Sequence, residues 1–221
     1  MSEPSTVVAA EPERRRRAGR LASGGAIREA AERLFLEKGY QGTSMDEVAA
    51  AAQVSKQTIY THFASKEELF AALVLANAER VEDFVAMLGT TLGHPGTDLR
   101  EALQKVARAY LRIVVRPDVL RLRRLVLGEA SRFPELARTY YERVPGRVLD
   151  ELTRIFSRLA SDGRLRIDDA SLAADHFAWL TLGLPLDRGM FYVANDALRH
   201  VELDQIADSA VRVFMAAYGE T

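Results

Sequence analysis

An all-α fold is predicted for this chain of 221 residues, and three observations predict it. Apolar residues recur at three- and four-residue spacing through most of the chain, as in helices with one buried face. Two Ser-x-x-Glu pairs, Ser44 with Glu47 and Ser65 with Glu68, stand at the heads of such stretches. There a serine hydroxyl and a glutamate carboxylate can satisfy the free N–H groups of a first helical turn. No segment shows the apolar–polar alternation of a half-buried strand.

Residues 1–19 contain Pro4, Pro12 and most of the run Arg14-Arg15-Arg16-Arg17-Ala18-Gly19-Arg20, without apolar periodicity, and read as a flexible basic arm. From Ala26 the pattern turns helical. Ile27, Ala30, Ala31, Leu34 and Phe35 share a face, Gly39 ends the helix, and Gly24-Gly25 weaken its start. Ser44 opens a short helix to about Ala52. A tight turn at Gln53-Val54 follows, with Val54 as its buried residue, and Ser55 caps a second short helix to about Thr61. Ser65 then begins a longer helix, residues 66–88. These starts define a compact module over 20–66, joined through the long helix to a larger helical part, 67–221.

In that larger part Gly93-His94-Pro95-Gly96 is a loop, and Leu99, Leu103, Val106, Tyr110 and Val114 form one stripe. Pro117 suits the first position of a helix to about 130. The next helix, from Pro134 to about Ala160, should kink at Pro145. Ser161-Asp162-Gly163 is a turn. Asp168-Asp169 opens a helix that carries Leu172, Phe177 and Leu180 and is interrupted by Pro185, and a last helix spans about 202–218.

Composition narrows the function. With 48% hydrophobic and 28% charged residues the chain can bury a sizeable core. The absence of cysteine excludes disulfides, thiolate metal sites and thiol nucleophiles. No apolar run approaches the roughly 20 residues of a membrane span, and no secretory signal opens the chain, so a cytoplasmic protein is expected. The four histidines, at 62, 94, 176 and 200, have no metal-site spacing. Asp175 and His176 are adjacent and cannot face each other on a helix. Neither a glycine-rich phosphate loop nor a nucleophile elbow occurs. An enzyme is therefore not expected, and no cofactor or metal is implied.

The formal net charge of −1 argues against a general basic coat for nucleic acid. Charge is instead placed locally, in the arginine run and in the acid-free stretch from Val48 to Lys66. A solvated tail is the plainer account of the arginines. The segment Thr43–Lys66, TSMDEVAAAAQVSKQTIYTHFASK, reads as a helix-turn-helix. Ala49 to Ala52 permit close helix packing, and Ile59 and Phe63, four apart, anchor the second helix inward. Lys56, Gln57, Thr58, Tyr60, Thr61 and His62 are left on or near its outer face, all able to hydrogen-bond. A helix in the major groove reads base edges with its N-terminal residues, with glutamine suited to adenine and lysine to guanine.

Gly42-Thr43-Ser44, Val48-Ala49, Val54-Ser55-Lys56, Ile59-Tyr60-Thr61-His62-Phe63 and Ser65-Lys66-Glu67-Glu68-Leu69 together resemble the DNA-binding signature of the TetR family. Ala30-Ala31, Leu34-Phe35 and Gly39-Tyr40 resemble the first helix of that signature. The stretch from Gly128 to Leu136 is similar to the C-terminal domain of the AefR-like branch. Gln53 departs from the pattern, which usually has glycine in the turn; a non-glycine at positive φ costs on the order of 1 kcal/mol.

The resemblance implies a three-helix helix-turn-helix DNA-binding domain followed by a larger helical ligand-binding and dimerisation domain. It implies phosphate contacts from Thr43, Ser44, Tyr60, His62 and Lys66, with a helix N-terminus at Ser65 favouring an anion. Bases would be read by Lys56, Gln57, Thr58 and Thr61. Each residue also has an ordinary alternative: Tyr60 as packing, Lys66 as a solvated lysine, His62 as a half-buried surface histidine. The arginine arm would add minor-groove affinity.

The expected partners are a palindromic double-stranded DNA operator, a second copy of the chain paired through its last two helices, and a small-molecule effector of unknown identity. No membrane is expected. The final helix offers Ala207, Ala210, Val211, Phe214 and Ala217 for pairing, or for burial within the monomer. Phe84, Met87, Tyr110, Tyr140, Phe177 and Trp179 are candidates to line an effector cavity, although such residues are more often core. Their character points to a hydrophobic or aromatic ligand. Arg121, Arg123 and Arg124 suit either an acidic ligand or a solvated helix face. The expected function is a ligand-responsive repressor; the alternative is an architectural or constitutive DNA-binding protein without ligand control.

Overall fold

The computed structural model describes residues 10–76, 81–94, 96, 98–192 and 200–220, with side chains from Ala22 onward apart from residues 200 and 201. Every regular element among them is helical. The chain divides between Val74 and Leu75 into two compact units.

The first unit begins with α1 (Ala10–Lys38), followed by α2 (Met45–Ala51), α3 (Lys56–His62) and the first turns of α4 (Lys66–Ala76). α1 starts earlier than the sequence suggested and carries the backbone of the arginine run, which was expected as part of a flexible arm. Alanine, glutamate and arginine are strong helix formers, and Pro12 falls in the first turn, where a missing N–H forfeits no bond. Residues 1–9 of that expected arm lie outside the described residues. Gly24 and Gly25 sit inside α1 rather than at its start. At Gly24 a Cβ would lie 3.4 Å from the His62 ring, so the bare backbone admits that ring close to α1.

Gly39, at φ +73°, ends α1 with its N–H on Phe35 O at 3.0 Å. Ser44 and Glu47 form the expected capping box on α2. Ile27, Ala31, Phe35, Val48 and Ile59 are buried at 0–1% exposure, so α1, α2 and α3 close around one small core. The unit boundary falls inside α4 rather than at its start. Leu69, Phe70 and Leu73 are buried, and the Phe70 ring packs 5.3 Å from Phe35 and 5.1 Å from Tyr40.

Gln53 makes the turn between α2 and α3 at φ +56°, the only non-glycine at positive φ among the described residues. The conformation suits glycine better by about 1 kcal/mol. Gln53→Gly is therefore expected to raise the thermal midpoint of the first unit, followed by calorimetry; an unchanged or lower midpoint would show that Gln53 carries no strain. Val54 is half-buried rather than fully buried, its N–H bonded to Ala49 O.

The second unit contains α5 (Val81–Leu92), α6 (Leu99–Val114), α7 (Pro117–Gly128), α8 (Pro134–Tyr141), α9 (Arg147–Ser161), α10 (Ala170–Phe191) and α11 (His200–Tyr218). The join between α4 and α5, on which a single helix over 66–88 depends, lies outside the described residues. α10 is central, packing on α6, α7, α9 and α11. It runs unbroken through Pro185, contrary to the expected interruption. Proline removes one backbone bond, and the buried face of Phe177, Ala178, Leu182 and Leu186 on either side holds the helix together. Pro145 acts as expected: α8 and α9 are joined by a π-helical turn, Glu142–Gly146, that contains it.

Candidate functional site

The first unit presents α3 as a candidate nucleic-acid interface. Ser55 caps it, accepting from Thr58 N at 3.0 Å, and Ile59 and Phe63 anchor it inward at 0% and 7% exposure. Gln57, Tyr60 and Thr61 are exposed, Tyr60 at 46%. Thr61 Oγ1 donates to Gln57 O at 2.8 Å, a bond within α3. Thr58 is half-buried and shares a 2.8 Å hydrogen bond with Ser55 Oγ.

The remaining candidates are already engaged to different degrees. Lys56 Nζ lies 2.8 Å from Asp46 Oδ1, an acid from α2 that the acid-free stretch in the sequence did not reveal. Both side chains are exposed, so the pair is weak and can yield to a phosphate or a base. Ser44 is exposed but occupied by its cap. Lys66 Nζ stands 4.3 Å over the Tyr40 ring, a cation–π contact at the head of α4. His62 shares a 2.9 Å hydrogen bond with Ser23 Oγ through Nε2, beside Gly24, so it braces α3 against α1. Thr43 is the clear correction. It is 2% exposed and its hydroxyl donates to Gly39 O at 2.9 Å, which closes the end of α1 and withdraws it from any partner surface.

The second unit contains a half-open cavity of about 380 Å³. Its walls come from α5 (Phe84), α6 (Tyr110, Ile113), α7 (Leu122, Arg123), α8 (Tyr140, Tyr141), the π-helical turn (Val144, Pro145) and α10 (Trp179, Leu182, Leu186). Phe84 and Tyr110 stack at 5.0 Å between centroids. Pro145 cannot donate the backbone bond an α-helix needs at this point, and the π-helical turn that accommodates it contributes Val144 and Pro145 to the lining. Burial pushes the Tyr110 phenol up to about 12, while the nearby Arg123 charge pulls the other way. Tyr140 is raised for the same reason and opposed by the same arginine.

Of the six residues expected to line a cavity, Phe84, Tyr110, Tyr140 and Trp179 do so. Phe177 does not: it is fully buried in an aromatic cluster with Phe156 and Phe214, at 5.7 and 5.4 Å. Met87 packs against the core and receives the Thr91 hydroxyl on its sulfur at 3.3 Å, outside the cavity lining.

Residues 101–220 match the family profile described as AefR-like transcriptional repressor, C-terminal domain. Residues 27–73 match that of bacterial regulatory proteins, tetR family. The chain belongs to the TetR family of transcriptional regulators. This TetR-family protein is 32% identical to the transcriptional repressor AcnR of Corynebacterium efficiens over 143 residues, 64% of this chain and 68% of AcnR. A TetR-family regulator from Mesorhizobium loti superimposes with a TM-score of 0.83 at 36% identity, covering 91% of this chain and 98% of that one. The flavonoid-responsive regulator FrrA gives 0.70 at 32% identity, covering 89% and 97%. As a member of that family the chain is a DNA-binding regulator, not an enzyme. No helix among the described residues is long and apolar enough to cross a membrane.

Sequence reasoning missed Asp46 and Ser23 in these sites. Asp46 and Ser23 reach α3 only because α1 and α2 fold beside it. Arg123 was seen as one of three arginines on a helix, and no local signal separates it from Arg124, which donates to Gly189 O. The regulator's reader also carries an acid-sensitive clasp. Glu47 is held down to about 2, first by the Lys38 hydrogen bond and next by Ser44. A depressed carboxyl contributes stability above its ordinary value of 4.5, lost as pH falls from there towards 2. An NMR titration of the Glu47 carboxyl should show that depressed midpoint, and Glu47→Gln should flatten the first unit's stability across this window.

Proposed function

We propose that this TetR-family regulator is a repressor that binds a palindromic operator as a homodimer and is released by a small, largely apolar molecule. The observation that carries the DNA half of the reading is the outer face of α3. Gln57, Tyr60 and Thr61 are open to solvent on a helix pinned by Ile59, the arrangement a major-groove reader needs. Repression is supported by the relatives AcnR and IcaR, both named as negative regulators. Effector control is supported by the aromatic cavity and by the likeness to a flavonoid-responsive protein. The cavity favours this reading over a constitutive DNA-binding protein, which has no use for one.

Pairing of two copies is supported by α10. Leu172, Trp179, Leu180, Leu184 and Phe191 are exposed along it, from 40% to 77%, as a stripe roughly 28 Å long. The face expected on α11 is a different matter: Ala207, Ala210, Val211 and Phe214 are spent inside the monomer core, and only Ala217 of that set is exposed. Phe214 is too large and too well surrounded to serve both sides. Trp179 belongs both to the stripe and to the cavity wall, so a ligand that moves it alters the surface on which two copies meet. Leu184→Glu should convert a dimer into a monomer in sedimentation measurements; a dimer of unchanged stability places the interface elsewhere. The whole reading is tested by selecting duplexes from random DNA with the purified protein. A palindrome should emerge, bound by two chains. Selection that returns no enriched sequence overturns it.

A further inference from the structure

Three polar side chains on the cavity wall make no hydrogen bond or ion pair among the described residues. Tyr110, on α6, and Tyr140, on α8, are 5% and 6% exposed, and neither hydroxyl makes a hydrogen bond among the described residues. Neither hydroxyl is sealed off among those residues, where the one fully enclosed side-chain polar atom without a hydrogen bond is Arg108 Nε, and both tyrosines line the cavity. Arg123, on α7, is half-buried on the same wall and has no carboxylate within ion-pair distance among the described residues. Its charge acts on both phenols, and all three residues line the same cavity.

The other charges of the lining do not answer this set. Asp118 is held by Arg116 through hydrogen bonds of 3.1 and 2.8 Å. Asp83 is exposed, where water screens it. A half-buried guanidinium without a partner is unfavourable, and it offers only donors. Two phenols beside it can each donate as well. Three donor-bearing side chains on one cavity lining, with no carboxylate paired to the guanidinium among the described residues, suit an anion, and the planar fork of arginine matches a carboxylate best.

Resting on the effector reading above, we propose that the cavity takes an amphipathic carboxylic acid, its carboxylate held by Arg123 and the Tyr110 and Tyr140 hydroxyls and its apolar body lying against Phe84, Trp179 and Leu186. Charge selection at this site is what separates it from a plain greasy pocket. Neutral aromatics of the same size fit the walls but leave the guanidinium unanswered.

Trp179 is the chain's single tryptophan and stands on the cavity wall, so its fluorescence reports occupancy without a label. The experiment titrates the full-length protein with three acids, 2-naphthoate, 4-hydroxycinnamate and dodecanoate, each beside its own methyl ester. For at least one pair the acid should bind about tenfold or more tightly than the ester. Arg123→Gln should erase that preference by lowering acid affinity far more than ester affinity, and the double variant Tyr110→Phe, Tyr140→Phe should reduce it. Equal affinity of every acid and its ester in the unaltered protein overturns the anion site and leaves an apolar effector cavity standing. A loss of acid and ester binding together in Arg123→Gln, with the preference intact in the tyrosine variant, also overturns it. No quenching by any of the six compounds overturns the anion site and the effector reading together.

Discussion

The double variant Gln57→Ala, Tyr60→Ala is expected to bind the selected operator on the order of a hundredfold more weakly, with its thermal midpoint unchanged. Glutamine paired bidentately with adenine is worth about 1–3 kcal/mol of discrimination, and a phosphate contact from Tyr60 adds to it. Both residues are exposed and neither side chain is needed to hold α3, which Ile59, Phe63 and the Ser55 cap already fix. Surface changes of this kind alter stability by no more than about 0.5 kcal/mol. Lys56→Ala offers an internal comparison. It should weaken binding to all sequences and lower the salt slope by about one if Lys56 meets a phosphate, or relax discrimination at one base pair if it meets a guanine. Fluorescence anisotropy across salt concentrations reads both quantities. Full operator affinity in the double variant would remove α3 as the reading helix.

Phe214→Ala carries the largest expected stability change, a loss of about 3–5 kcal/mol in the second unit. Its ring is fully buried and lies 5.2 Å from Phe156, 5.4 Å from Phe177 and 4.8 Å from Tyr218. Removing it empties a space bounded by three aromatic side chains on α9, α10 and α11, none of which can collapse inward without leaving its own packing. Urea unfolding followed by circular dichroism should show the transition of the second unit shifted to lower denaturant. A loss below about 1 kcal/mol would place Phe214 at the monomer surface after all, and restore α11 as the pairing face first expected of it.

The two units were unequally legible. In the first, each decisive feature is local: a serine three residues before a glutamate, an apolar pair four apart, a glycine after the last periodic residue. Such signals act over one or two helical turns, and α2, α3 and their caps follow from them. The positive φ of Gln53 was expected by another route, from the glycine that the resembling family usually has in this turn. Thr43 and His62 show where that legibility ends. Thr43 looked outward by motif but turns back on Gly39, and His62 finds Ser23 across 39 residues of chain.

In the second unit periodicity located the helices but left their faces ambiguous. Phe177 and Trp179 stand two residues apart on α10, both aromatic and both plausible wall residues, yet one is sealed in the core and the other is 66% exposed. Alanine, valine and phenylalanine along α11 describe a buried stripe equally well whether the burying partner is α6 and α10 or another copy.

By itself, then, the order of residues determined that the chain is helical, where the reader's helices begin and end, and which side of α3 carries hydrogen-bonding groups, since those depend on hydrogen bonds and caps between near neighbours. Tertiary structure alone decided that Arg123 joins Tyr110 and Tyr140 at one cavity, that Asp46 meets Lys56, and that α10 rather than the Phe214 face of α11 is left uncovered. Those are meetings between residues distant along the chain, and burial against one helix or another is a choice that only packing in three dimensions can make.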